Sequence, residues 1–309
     1  MSIQKSEEPV FYGGQALIEG VMMRGKTGYA LAVRRPDGGI ELIDKPITSK
    51  PRGILKWPII RGVAAFGSSM SIGFKALSQS AEIAMEDDAP PTSRFEIFLT
   101  EKLGDKLNKI LMGIAMVAAV VIGLGLFMLL PTWIASFIEG PLRGVVEGLI
   151  RILIFVAYVF LISRAKDIQR TFQYHGAEHM AINCHEQGQH LTTENVAAHS
   201  RLHKRCGTSF LLVVMVISMI LFMFIRIEDI WLRLGSRILL LPVIAGLAYE
   251  VSVKWAGKRD NWLVRAIIVP GMAMQRMTTG VPDEGQIEVA VAALERVLAQ
   301  EREELGGDE

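Results

Sequence analysis

The stretch "YHGAEHMAINCHE", residues 174–186, holds three of the chain's six histidines, two glutamates and one of its two cysteines. Within it His175, Glu178 and His179 form an HxxEH pattern. On an α-helix residues four apart differ by only about 40° in direction, so both imidazoles leave one face and Glu178 flanks it. This matches the inverted zincin arrangement, in which two histidines hold zinc and the glutamate takes a proton. Zinc lowers the pKa of the water it binds to roughly 7, and a carboxylate within hydrogen-bond reach then makes a nucleophile available at neutral pH. A catalytic zinc site needs a third protein ligand and an open position. The candidates are His203, Cys206, Glu186 and His199; His203 and Cys206, three apart in "HKRCGTSF", can present from one helical turn. Glu178 is the expected base, and Arg205 or Arg201 the group that stabilises a developing negative charge. The competing expectation is a solvated polar helix with incidental histidines.

These groups need a frame, and the composition points to a membrane. Half of the 309 residues are hydrophobic and the mean hydropathy is positive, which places the chain outside ordinary soluble domains. A net charge of +1 gives no reason to expect nucleic acid as a partner; membrane lipids are the expected surroundings. Two cysteines are too few for a disulfide framework, and no removable signal peptide is visible. A bilayer core of about 30 Å needs roughly 20 mostly apolar residues in a helix. Four runs approach this, at 110–137, 144–163, 208–225 and 237–256. The second carries Glu147 with Arg151 and the fourth Glu250 with Lys254, each pair one turn apart and able to neutralise itself near a helix end.

Basic residues set the orientation. The connection 164–207 carries Arg164, Lys166, Arg170, Arg201, Lys204 and Arg205, whereas the link between the first two spans has only Arg143. The connection is therefore expected in the cytoplasm, with both termini on the same side, and Lys258, Arg259 and Arg265 after the fourth span agree. If the second span ran on as one straight helix, His175 would hang about 18 Å below Ser163, far from His203 just ahead of the third span. A break near residues 164–170 is expected, with the site close under the membrane surface.

Outside the spans, residues 1–57 read as a Gly-rich loop and a β-hairpin, "YALAVRR" and "IELIDKPIT" flanking "PDGG". Residues 58–108 read as interfacial helix and linker, since the charge-free core between Arg61 and Lys75 is too short to span and "EDDAPPTSR" interrupts it. Residues 258–309 read as cytoplasmic amphipathic helices, with Ile287, Val291, Leu294 and Leu298 on one docking stripe. "GGQALIEGVMMRG", residues 13–25, reads either as a loop closing over the histidines, with Glu19 as ligand or Arg24 on an anion, or as a tight turn packing the β element. The fold class is thus an α-helical integral membrane protein with about four transmembrane helices, a small N-terminal β element and a cytoplasmic His-containing helical connection.

"GGQALIEGVMMRG", "YHGAEH" with Glu186 behind it, "LTTENV" at 191–196, "RCGTSF" at 205–210 and "TTGVPDEGQIEVAVAALERVL" near the C-terminus resemble the YqhQ-like family of bacterial membrane proteins, whose function is unknown and which are predicted metal-dependent enzymes. The resemblance points to His175, Glu178, His179, Glu186, His203 and Cys206. Lys204 stands where the family has Pro and His185 where it has Tyr, which loosens the turn aiming His203 and removes His185 as a required ligand. The expected activity is a zinc-dependent hydrolase at the cytoplasmic face of the bacterial inner membrane, with a membrane-protein or lipid-linked substrate. The alternatives are a non-enzymatic scaffold with a structural metal or polar cluster, and a transporter.

Overall fold

Both faces of the N-terminal sheet are covered, and that determines how its sequence reads. The computed structural model describes residues 12–47, 53–84, 106–140, 142–225, 227, 229–255 and 262–306. Strands β1 (Gly13–Leu17), β2 (Gly20–Arg24), β3 (Gly28–Arg34) and β4 (Ile40–Pro46) form one antiparallel sheet in the order β1-β2-β3-β4. The β3–β4 hairpin was expected. "GGQALIEGVMMRG", expected as a loop or tight turn, is instead a second hairpin in which Leu17 pairs with Gly20 across Ile18 and Glu19. Val21, Met23, Ala30 and Ala32 point into one core, while Leu17, Met22, Tyr29 and Leu31 point into another. In β2 and β3, buried on both faces, no polar alternation survives to mark the strands.

The helices are α1 (Ile60–Ala84), α2 (Lys106–Leu124), α3 (Leu130–Ala135), α4 (Arg143–Ile162), α5 (Lys166–Glu186), α6 (Thr193–Ala197), α7 (Gly207–Phe224), α8 (Ile230–Tyr249), α9 (Trp262–Thr278) and α10 (Glu284–Gly306). The chain divides into two units, one of residues 1–84, 159–214 and 242–309, the other of residues 85–158 and 215–241.

In the first unit α1 covers one sheet face through Ala76, and α5 and α10 cover the other. The α10 stripe docks as its spacing predicts: Ile287 and Leu294 are buried, and Val291 and Leu298 pack at the margin. Its far end is tied down by polar contacts, Tyr12 Oη donating to Glu301 at 2.7 Å and Arg296 and Gln300 to Asp44 at 3.0 and 2.7 Å. The helix break falls at residues 163–165, where Ala165 turns to extended backbone (φ −73°, ψ 133°) before α5 begins. Gln169 Nε2 caps the turn by donating to the Ser163 carbonyl at 3.2 Å.

Four helical stretches are long and apolar enough to cross a membrane: Gly113–Ala135, Arg143–Ile162, Gly207–Phe224 and Trp231–Ser252. Such a set suits a membrane protein. The fourth starts six residues earlier than the run at 237–256 and so takes in Arg233 as well as Arg237 at the head of that run. Glu147 and Arg151 pair as expected, at 2.9 Å. Glu250 pairs with Arg61 of α1, and the Lys254 side chain lies outside the described residues. The "EDDAPPTSR" break, Lys258, Arg259 and the Arg265 side chain also lie outside them.

Candidate metal centre

Helix α5 turns one stripe, Tyr174, Ala177, Ala181 and Cys184, into the core against the sheet and α10, at the three- and four-residue steps of an α-helix. His175, Glu178 and His179 sit on the next stripe. Gly176 lies between them for a steric reason: a Cβ there would stand 2.1 Å from the Gly280 carbonyl oxygen. The segment after α9 crosses α5 at that point, and the Gly280 N–H donates to the Phe172 carbonyl at 2.6 Å.

That crossing positions the first imidazole. His175 Nδ1 lies 2.8 Å from the Thr278 carbonyl and His179 Nδ1 lies 2.7 Å from the Arg201 carbonyl. A carbonyl oxygen only accepts, so both rings carry their proton on Nδ1 and keep the lone pair on Nε2. Histidine ligands in metal sites are oriented in this way. His175 Nε2 is 3.3 Å from Cys206 Sγ, and His175, His179 and Cys206 offer ligand atoms that all lie within 4.8 Å of one another. Two imidazole nitrogens and a sulfur form a donor set that fits zinc. Cys206 directly precedes α7, whose Thr208 N–H points at the sulfur at 3.5 Å and so brings the positive end of the helix dipole to it.

Glu178 is 4% exposed, and burial pushes its carboxyl up to about 7, against the opposing pull of His175 and the Gly14 N–H. Strand β1 can approach it because residue 14 lacks a side chain: a Cβ there would meet the Glu178 side chain at 2.9 Å and the Met22 carbonyl at 2.6 Å. A buried carboxyl titrating near neutrality can both take and return a proton.

The remaining candidates distribute around this cluster. The His203 ring centre is 5.7 Å from that of His179, and its Nε2 is 3.5 Å from Glu186. Burial, with His179 and Arg205 nearby, pushes His203 down to about 4, so the contact with Glu186 is made by a neutral imidazole despite its ion-pair geometry. Glu186 also pairs with Arg205, and Arg201 donates to the Thr279 carbonyl at 3.0 Å. His199 meets Gln189 at 3.0 Å, and His185 packs edge-on against Tyr12. Cys184 is in the core, where burial raises its thiol. Glu19 binds Arg170 through both oxygens and accepts from Tyr174 at 3.2 Å, with its backbone in the left-handed region at φ 51°. Arg24 donates to Ser69 at 3.1 Å. The N-terminal hairpin therefore sets Gly14 against Glu178, while Glu19 meets the same helix at Arg170 and Tyr174 and Arg24 meets Ser69.

Gln275 was not anticipated. Fully buried, it accepts from the His203 N–H and donates to the His203 carbonyl, both at 2.9 Å, fixing the backbone beneath that ring. Its signal in the sequence is a lone amide among the apolar residues of "GMAMQRM".

Comparison with known proteins adds a lineage. Residues 57–300 match the model of a family described as protein of unknown function (DUF1385). The chain is 34% identical over 307 residues to the uncharacterized protein YqhQ of Bacillus subtilis (strain 168), covering 97% of this chain and 96% of that one. No solved structure matches it.

Proposed function

The chain belongs to the DUF1385 family, and from that premise we propose that it is a membrane-embedded, zinc-dependent hydrolase whose site faces the cytoplasm. The observation that carries the proposal is the pair of Nδ1–carbonyl hydrogen bonds, which leave the Nε2 atoms of His175 and His179 as ligands beside Cys206. His175, His179 and Cys206 would hold the zinc, which would supply a Lewis acid able to polarise a carbonyl and acidify water. Glu178 takes the proton on its carboxylate and returns it to the leaving group, a role suited to a carboxyl held near 7. Burial around Glu178 keeps bulk water from competing for that proton.

The membrane setting is supported by the four apolar helices, and the basic residues of the connection 164–207 favour an arrangement with both termini and the site on the cytoplasmic side of a bacterial inner membrane. Helix α1 leaves Phe66, Met70, Phe74 and Leu77 exposed on one stripe while its other side packs on the sheet, as a helix lying in the interface does. A site close to that interface favours peptide bonds of membrane proteins near the bilayer as substrate, with lipid-linked esters or amides second.

One observation favours a second reading. The His203 ring lies beside His179, and as a fourth ligand it would close the coordination sphere and make the centre structural, in a scaffold protein. Metal analysis of the purified protein tests both readings. The parent should carry about one zinc per chain, and His175→Ala or His179→Ala should lose it; a metal-free parent removes the proposal. Glu178→Gln should keep its metal while hydrolysis stops. Unfolding on chelation, with Glu178→Gln indistinguishable from the parent, would establish the structural reading instead.

A further inference from the structure

The second unit buries charge in helices that are otherwise mostly apolar. Glu147, Arg151, Arg233 and Arg237 are 2%, 8%, 5% and 4% exposed. Glu147 accepts from Arg151 at 2.9 Å, from Arg237 at 2.7 Å and from Thr132 at 3.0 Å, so one carboxylate serves two guanidiniums. Arg151 also donates to the Phe127 carbonyl at 2.9 Å, and Arg237 stands over the Phe222 ring at 4.6 Å. A cavity of about 570 Å³ opens against this network, lined among others by Glu139, Arg143, Glu147, Phe222, Arg233 and Arg237. The Nε of Arg143 is buried and, among the described residues, meets no hydrogen-bond partner.

We propose that this cavity is a binding site for a phosphate group. Arg143 and Arg237 line this cavity beside apolar walls, where a cation is strongly unfavourable unless an anion meets it, and the Glu147 carboxylate is already shared by Arg151 and Arg237. Guanidinium forks match the oxygens of a phosphate through paired N–H donors, and the buried Nε–H of Arg143 is one such donor in need of an acceptor. The volume exceeds what a bare ion fills and lies in the range of small-molecule sites. Phe222, Met223 and Ile225 wall the cavity beside the arginines, which suits a phosphate carried on a partly apolar molecule. An anionic phospholipid headgroup and a soluble phosphate share this chemistry. The proposal is independent of the metal centre, because every residue it uses belongs to the other unit.

The test uses the full-length protein in a neutral detergent. Phosphorus bound per chain is measured after exhaustive detergent exchange, and the thermal midpoint is followed during titration with short-chain phosphatidylglycerol, glycerol phosphate, inorganic phosphate and, as zwitterionic comparator, short-chain phosphatidylcholine. A saturable rise in midpoint with phosphatidylglycerol is expected, with binding roughly tenfold weaker in Arg143→Gln. A rise with phosphatidylglycerol alone identifies a headgroup site; a rise with the soluble phosphates too identifies a site indifferent to the carrier. No saturable response to any of the three, an equal response to phosphatidylcholine, or equal affinities in parent and Arg143→Gln would overturn the proposal. Should Arg143→Gln not fold, Arg143→Lys keeps the charge and removes the fork, and the parent's own titration and bound phosphorus still decide.

Discussion

At the scale of single residues, the site depends on two places where a side chain is missing. Gly176→Ala sets a methyl 2.1 Å from the Gly280 carbonyl, and because that contact is backbone to backbone neither rotamer change nor side-chain retreat relieves it. We expect a loss of roughly 2 kcal/mol or more in denaturant unfolding, together with weakened metal retention, since the same crossing supplies the Thr278 carbonyl to His175. Gly14→Ala should behave differently. It presses on Glu178 and on the Met22 carbonyl but leaves both imidazoles and Cys206 untouched. Metal content should therefore stay at the parental level while stability falls by about 1–3 kcal/mol and hydrolysis declines. Loss of metal in Gly14→Ala would show that Glu178, not only the three proposed ligands, is needed to hold the ion. The spacing of His175, Glu178 and His179 was legible from the sequence because helical periodicity converts directly into direction in space. The carbonyls of Thr278 and Arg201 were not, because a backbone oxygen leaves no trace in residue type.

At the scale of elements, β4 and α10 are clamped through Asp44. The Arg296 guanidinium, with Gln300, holds the Asp44 carboxyl below its ordinary 3.8, so the clamp stabilises the fold above that value and is lost as the pH falls through the lowered one. The contact is well solvated, and Asp44→Asn should cost about 0.2–1 kcal/mol at neutral pH. The difference from the parent should vanish in acid unfolding experiments well below pH 3.8, and a difference that persists there would mean the loss is steric. The break between α4 and α5 could be inferred in advance because His175 and His203 cannot meet on a straight helix, an argument from length alone. The β1–β2 hairpin escaped notice because burial of β2 on both faces erased its alternation. The early start of α8 is not legible in the sequence because Arg233 reads as part of the polar link ahead of the span, whereas its side chain is buried.

At the scale of the whole molecule, the number of apolar helices was legible because span length is set by bilayer thickness, a quantity outside the protein. The proposed orientation makes a labelling prediction. Gln189→Cys, in the connection, should react in intact cells only with a membrane-permeant maleimide, whereas Phe137→Cys, after the first span, should react with an impermeant one; the opposite pattern would invert the topology. Both positions are exposed, and the native Cys184 and Cys206 are buried, so background labelling should be low.

The parts that orient this centre are far apart along the chain, Gly14 in the first strand and Thr278 at the end of the ninth helix. A nascent polypeptide carries both imidazoles well before the carbonyl that aims one of them has been translated. A half-made copy would thus lack one of the groups that orient the proposed centre until synthesis has passed Thr278.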